Sequence, residues 1–333
     1  MIRRKAVTVL VLVLLLAAGA ALVVNWCGRP PGEGRECVFR VRRGWGVDMI
    51  SGALSDSGLV RCRFYLLWRY SRMEGGPPLQ AGTYMLDDGM TPDSILGILA
   101  AGRVIPVPTS WVTLAPGLTV DSSLEIISSA TGISRGHLDS LAYDPGLLGS
   151  LGIPCLEGYL FPETYELADT LTGGEVLRRI VETGFRRWPE AMLDPSLTTG
   201  LTVHETVILA SIVEREARVD SERAMVAGVF LGRLRRGMRL ESCATVQYAL
   251  GEVREVLLYR DLELDHPYNT YIHPGLPPGP ICSPGYPSIN AAAHPDTTDG
   301  FLYFVSRDDG SGTHLFARTH SGHLANIRSI EGR

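Results

Sequence analysis

The first two dozen residues constrain this chain more than any other segment. Arg3, Arg4 and Lys5 precede a run from Ala6 to Val24 that contains no charged residue. At about 1.5 Å of helical rise per residue the run reaches roughly 28 Å, near the hydrocarbon thickness of a bilayer. Basic residues ahead of it favour a cytoplasmic N-terminus, so everything after Asn25 is expected outside the cytoplasm. A cleaved signal peptide is the competing reading, because Ala17 to Ala21 supply small residues. The run continues through Leu22, Val23 and Val24, which is late for a cleavage site and favours a retained anchor. Cys27 follows Val24-Asn25-Trp26, without the small residues expected before a lipid-modified cysteine.

The chain of 333 residues is long enough for two or three domains with ample core. Its net charge of −5 is mild, and no basic segment points to nucleic acid. The cysteines Cys27, Cys37, Cys62, Cys155, Cys243 and Cys282 are dispersed without a CxxC pair, against a zinc ribbon. Outside a reducing compartment they would allow about 15 pairings, and the spacing selects none. No GxGxxG or P-loop appears, and no cofactor is expected.

Periodicity divides the chain into residues 1–5 inside the cell, an anchor at 6–26, a linker at 27–36, a small α+β module at 37–106 and a larger mixed α+β region at 107–333. In the module, Cys37-Val-Phe-Arg-Val-Arg alternates as a strand, and Thr91 is placed to cap a helix beginning at Pro92. In the larger region a strand is expected near Trp111–Leu114. Helices are expected at 120–130, 174–188, 204–217 and 222–236, with 131–150 as a connecting segment. Pro and Gly dominate from 264 to 288, and a short helix at 289–293 and a strand at 301–305 close the chain.

Residues 207–217 read Val-Ile-Leu-Ala-Ser-Ile-Val-Glu-Arg-Glu-Ala. At about 100° per residue, Leu209, Ile212 and Val213 fall within roughly 60° of Glu216, while Glu214 falls on the far side near Val207. A carboxyl group among apolar side chains has its charged form disfavoured; its pKa rises and it can serve as a general acid. The alternative is a helix-end glutamate that reaches water or meets Arg223, since buried carboxylates are also structural.

Several motifs have a recognisable order and spacing. They are Ala81-Gly-Thr-Tyr84, Glu157-Gly-Tyr-Leu-Phe-Pro-Glu-Thr-Tyr165, Ala210-Ser-Ile-Val-Glu-Arg-Glu216, Ser221-Glu-Arg223, Tyr268-Asn-Thr-Tyr271, Gly275-Leu-Pro-Pro-Gly-Pro-Ile281, Ala291-Ala-Ala-His-Pro295 and His314-x-Phe316. Together they resemble the endolytic murein transglycosylase (YceG-like) family over nearly the whole chain. The resemblance implies a single-pass protein of the inner (cytoplasmic) membrane with its catalytic domain outside the cytoplasm. It also implies a LysM-like module at 37–106, peptidoglycan glycan strands as substrate, and a link to peptidoglycan synthases. The family's catalytic glutamate maps to Glu216, the residue that periodicity also selects. One departure is Leu240-Glu-Ser-Cys-Ala-Thr-Val-Gln-Tyr248, where Cys243 and Ala244 replace an Asp-Pro pair common in the family.

The implied reaction breaks the β-1,4 bond between N-acetylmuramic acid and N-acetylglucosamine without water as nucleophile, and ring closure by the muramic C6 hydroxyl gives a 1,6-anhydro end. Glu216 is expected to protonate the leaving oxygen and then, as a base, to take the C6 hydroxyl proton, so one carboxylate suffices. A two-carboxylate hydrolase is the rival, with Glu157, Glu163 or Glu241 as second acid. The expected saccharide contacts are Tyr268, Asn269, Thr270, Tyr271, Pro277, Gly279 and Ser283, with Glu157, Tyr159 and Thr245 added on the same resemblance. The bland alternative is a Pro-rich loop that packs over the core. His266, His273, His294, His314, His320 and His323 cluster late in the chain, but none forms HExxH and no metal is expected. A non-catalytic wall-binding scaffold remains the reading from another class.

Overall fold

The computed structural model describes residues 2–73, 75–106, 108–193, 199–254 and 257–332, with the side chains of 2–10, 12, 13 and 193 outside that set. The basic residues Arg3, Arg4 and Lys5 therefore contribute backbone only, and residue 107, at the expected boundary, lies outside the described residues. The chain forms two compact units, residues 1–108 and 109–333.

In the first unit, α1 (Ile2–Cys27) is followed by β1 (Glu36–Val41), α2 (Val47–Asp56), α3 (Arg63–Tyr70), β2 (Gly82–Asp87) and α4 (Pro92–Ala100). Among the described residues, no helix is long and apolar enough to cross a membrane. β1 and β2 pair antiparallel from Glu36 opposite Asp87 to Val41 opposite Gly82. Phe39 and Val41 point inward while Val38 and Arg40 stay exposed, the period-two pattern of a half-buried strand. They meet Ile50, Leu54, Leu66, Tyr84, Leu96 and Leu99 in one core. Thr91 caps α4, its hydroxyl accepting from Ser94 N at 3.2 Å. A disulfide joins Cys27, the last residue of α1, to Cys62, just before α3, and Cys37, Cys155, Cys243 and Cys282 are free.

The second unit begins with β3 (Thr109–Thr113), which pairs antiparallel with β4 (Thr164–Ala168), some fifty residues on. Between them lie α5 (Val120–Thr131), α6 (Arg135–Ala142) and α7 (Pro145–Leu151). The last two replace the expected connecting segment. Asp144 caps α7 by accepting from Leu147 N, and Pro145 starts that helix instead of breaking it. Next come α8 (Gly173–Arg187), α9 (Glu190–Leu193), α10 (Val203–Glu216), a 3₁₀ turn at Asp220–Glu222, and α11 (Arg223–Arg235). The unit closes with α12 (Cys243–Leu250), α13 (Tyr259–Leu262), α14 (Tyr286–Ala293), the β5 (Tyr303–Ser306) and β6 (His314–Ala317) hairpin, and α15 (His320–Glu331).

Helix α10 is the centre of this unit. Eight consecutive residues, Thr206 to Val213, are buried, and α11, α12 and α14 pack around the helix. A helix covered on all sides has no polar stripe to spare. Closeness elsewhere is set by Gly228 of α11, where an added Cβ would come within 1.8 Å of the Asp296 carbonyl oxygen. The architecture is α+β, with three small two-stranded sheets among the described residues.

Candidate active site

A reciprocal capping box fixes the start of α10: Thr202 Oγ1 accepts from Glu205 N at 3.2 Å, and Glu205 Oε2 accepts from Thr202 N at 2.7 Å. The helix then delivers Glu216 as its last residue. Glu216 Oε1 accepts a hydrogen bond from Ser242 Oγ at 2.5 Å, and Ala244 N lies 3.5 Å away. These donors sit at the N-terminus of α12, whose unpaired N–H groups favour a nearby negative charge. Loss of solvent pushes the Glu216 pKa up, and the hydrogen bonds from Ser242 and Ala244 offset only part of that shift. Glu216 Oε2 has no hydrogen-bond partner among the described residues. The side chain lines a cavity of about 440 Å³ together with Arg233, Glu241, Cys243, Tyr271 and His314.

Glu241 turns the chain into this arrangement. Its φ of 51° lies in the left-handed region, which costs a residue with a Cβ about 1–3 kcal/mol. The buried guanidinium of Arg233 holds the turn, reaching Glu241 Oε2 at 3.1 Å and the Leu240 carbonyl at 2.9 Å. Ser242 and Ala244 are thereby presented to Glu216.

A second cavity, of about 590 Å³, is lined by the alternate residues of the same two segments, Arg215 and Ala244, with Glu157, Gln247 and Tyr248. Glu157 is buried. Val120 N, at the start of α5, lies 3.0 and 3.1 Å from its two oxygens, and the Tyr248 hydroxyl donates to Oε2 at 3.3 Å. Burial outweighs these contacts and pushes the Glu157 carboxyl up to about 7.

The other expected saccharide contacts divide between lining and support. Tyr271 lines the Glu216 cavity, with its hydroxyl 3.2 Å from Cys243 Sγ. Asn269 and Thr270 are buried beneath it. Asn269 donates to the Leu262 and Leu264 carbonyls and accepts from Tyr271 N, so it shapes the loop. Thr270 Oγ1 accepts from Ser242 N at 3.0 Å and lies 2.9 Å from Thr245 Oγ1, which makes both threonines a brace behind the α12 terminus. Tyr159 is a core residue whose hydroxyl meets His204 Nδ1 at 2.9 Å. Tyr268 packs at a tilt against Tyr248, with ring centroids 4.8 Å apart. Pro277, Gly279 and Ser283 are buried, and a Cβ on Gly279 would meet the Tyr268 hydroxyl at 2.7 Å.

Of the candidate second carboxylates, only Glu241 shares the Glu216 cavity. Glu163 pairs with Arg187 at 2.9 Å and lines a different cleft. Glu214 has partners of its own. On the side of the helix opposite Glu216 it is largely buried too, accepting from Gly285 N at 2.9 Å and from Arg223 Nη1 at 3.4 Å. Arg223 thus meets Glu214 and not Glu216, because α14 and α11 cover the face that one apolar stripe would leave open. Ser242 and Arg233 have no site role in the sequence pattern, and His314 appears there as part of the His314-x-Phe316 motif and as a rejected metal ligand, whereas all three belong to the Glu216 site. Among the described residues no group of three or more His, Cys, Asp or Glu is placed to hold a metal ion.

Comparison with known proteins agrees with the motif order. The endolytic murein transglycosylase of Bacillus subtilis strain 168 is 30% identical over 291 residues, 82% of this chain and 79% of the relative. That of Streptococcus pneumoniae D39 is 29% identical over 322 residues, and the match spans 86% of this chain but 57% of that longer protein. A crystal structure of a yceG-like protein from Listeria monocytogenes superposes with a TM-score of 0.57 at 27% identity, covering 88% of this chain and 99% of that one. The family model described as YceG-like matches residues 39–329, and the chain belongs to that family.

Proposed function

We propose that this chain is an endolytic murein transglycosylase. It cleaves the β-1,4 bond between N-acetylmuramic acid and N-acetylglucosamine inside peptidoglycan strands and leaves 1,6-anhydromuramic ends. The observation that carries the reading is Glu216, a carboxyl with raised proton affinity, one oxygen held by Ser242 and the other free at a cavity. In this reading Glu216 protonates the leaving oxygen as the anomeric carbon gains oxocarbenium character. The sugar's acetamido group assists, the C6 hydroxyl closes the ring, and Tyr271 contacts the saccharide.

The N-terminal helix is read as a single-pass anchor in the cytoplasmic membrane with the catalytic unit outside. The charge-free run behind Arg3, Arg4 and Lys5 supports this, as does the Cys27–Cys62 disulfide, since such bonds persist in oxidising compartments. Residues 37–106 would then serve as a LysM-like module near the membrane. Peptidoglycan synthases would be the partners whose nascent strands the enzyme terminates.

The test is mass spectrometry of glycan strands digested by the full chain and by Glu216→Gln. Anhydromuramic ends made by the wild type alone are expected. Reducing ends would indicate a hydrolase, with Glu241 as the second carboxylate in reach of the cavity. Cleavage that survives Glu216→Gln would remove the assignment of the acid.

A further inference from the structure

The reaction just proposed requires two proton movements, one onto the leaving oxygen and one off the C6 hydroxyl. Glu216 supplies the first, and a second group in the same cavity is built for the other. His314 of β6 places Nδ1 at 2.7 Å from Glu222 Oε2, and its backbone N lies 3.1 Å from each oxygen of the same carboxylate. The side chains of His314 and Glu222 are 8% and 10% exposed. Phe304 packs edge-on against the imidazole with centroids 5.2 Å apart, and Phe316 lies at 6.2 Å.

An ionised Glu222 can only accept, so the bond places a proton on Nδ1, and in the neutral ring the lone pair is then on Nε2. Nε2 has no hydrogen-bond partner among the described residues, and the ring lines the cavity that contains Glu216 and Tyr271. A brace between β6 and the 3₁₀ turn would need only the backbone N–H of residue 314. The oriented imidazole adds a proton acceptor on a residue that lines the same cavity as Glu216.

We propose that His314 is the base that takes the C6 hydroxyl proton, with Glu222 as its positioning residue, which leaves Glu216 the role of acid. This rests on the transglycosylase reading. The O6–H bond breaks, with its proton passing to His314 Nε2, and the O6–C1 bond forms. The C1 bond to the acetamido oxygen, made when the leaving group departed, breaks and returns its electron pair to that oxygen. The proton on His314 then restores Glu216, which gave its own proton to the leaving oxygen. The cycle closes without a co-reactant.

The experiment follows glycan cleavage by the full-length His314→Gln, Glu222→Gln and Glu222→Asp variants, with mass spectrometry of the ends and a melting curve for each. His314→Gln is expected to lower the rate about 100-fold, and the remaining product shifts toward reducing ends as water captures C1. Glu222→Gln lowers kcat about tenfold with KM unchanged, as for other residues that orient a functional histidine, and Glu222→Asp recovers part of that loss. A folded His314→Gln variant within threefold of wild type, making only anhydro ends, overturns the proposal. Should His314→Gln fail to fold, the Glu222 pair decides: unchanged kcat in a folded Glu222→Gln enzyme also overturns it. Absence of anhydro ends from the wild type would instead remove the transglycosylase reading underneath.

Discussion

The two cavities at the end of α10 each contain a glutamate taken out of water, and they use it differently. Glu157 is fully engaged: Val120 N lies against both of its oxygens and Tyr248 donates to one of them. Glu216 is engaged on one oxygen and open on the other. Burial raises the proton affinity of both. A raised pKa therefore does not distinguish an acid from a strut. The distinction lies in the unoccupied oxygen, the α12 terminus aimed at the carboxyl, and the imidazole sharing its cavity.

The largest expected effect breaks the comparison directly. Glu216→Gln should reduce glycan cleavage by about 10³-fold, within the range for loss of a general acid, while Glu157→Gln stays within about threefold of wild type on the same scale. Equal losses at the two positions, measured as fragments released per minute, would erase the division between acid and strut.

Next comes the effect of pH on stability. Glu157 has a folded pKa of about 7 against an ordinary 4.5. The folded state holds this proton more tightly, so the contribution is complete below pH 4.5 and lost as pH rises through 7. The wild type should lose of order 3 kcal/mol across that window relative to Glu157→Gln, read from urea unfolding of both proteins at pH 4.5 and 8. Parallel pH dependences would show that the Glu157 carboxyl is not desolvated.

Ser242→Ala sharpens the other side. Removing the Ser242 hydroxyl takes away support for the charged form of Glu216, so its pKa moves further up and the alkaline limb of the kcat/KM profile moves to higher pH. Looser positioning should cost about tenfold in the plateau value, comparable to one hydrogen bond to a charged group. A limb that moves down would contradict the assigned hydrogen bond. Smallest of all, Tyr248→Phe should lower stability at pH 8 by about 1 kcal/mol and leave the cleavage rate within about twofold. A large activity loss there would make the second cavity part of the chemistry.

How much of this was legible in the sequence depended on whether the cause was local. The Thr91 cap, the alternation of Phe39 and Val41, and the register of α8 and α10 follow from neighbours in the chain, and the structure has them within a residue or two. Helices α6 and α7 were hidden by Gly and Pro residues that start and end helices as readily as they break them. β4 becomes a strand by pairing with β3 across the intervening helices, a cause that no local window contains. Glu216 was visible because its neighbours on α10 are apolar. Its partners were not, since Ser242 is 26 residues away in the chain and His314 is brought in by a hairpin near the C-terminus. Asn269 and Thr270 looked like sugar contacts because their side chains are polar, and Thr245 through the family resemblance. Burial turned that polarity inward, to the network behind α12.

The enclosure of α10 from Thr206 to Val213 also determines when the chain becomes dangerous to a cell wall. In an extended chain Glu216 is an ordinary carboxylate, ionised at neutral pH and unable to donate a proton. Only when α11, α12 and α14 close around the helix does water leave and the proton affinity of the carboxyl rise. Folding is in this sense the step that tunes the acid, and the proton affinity that the chemistry needs belongs to the packed helix and not to the extended chain.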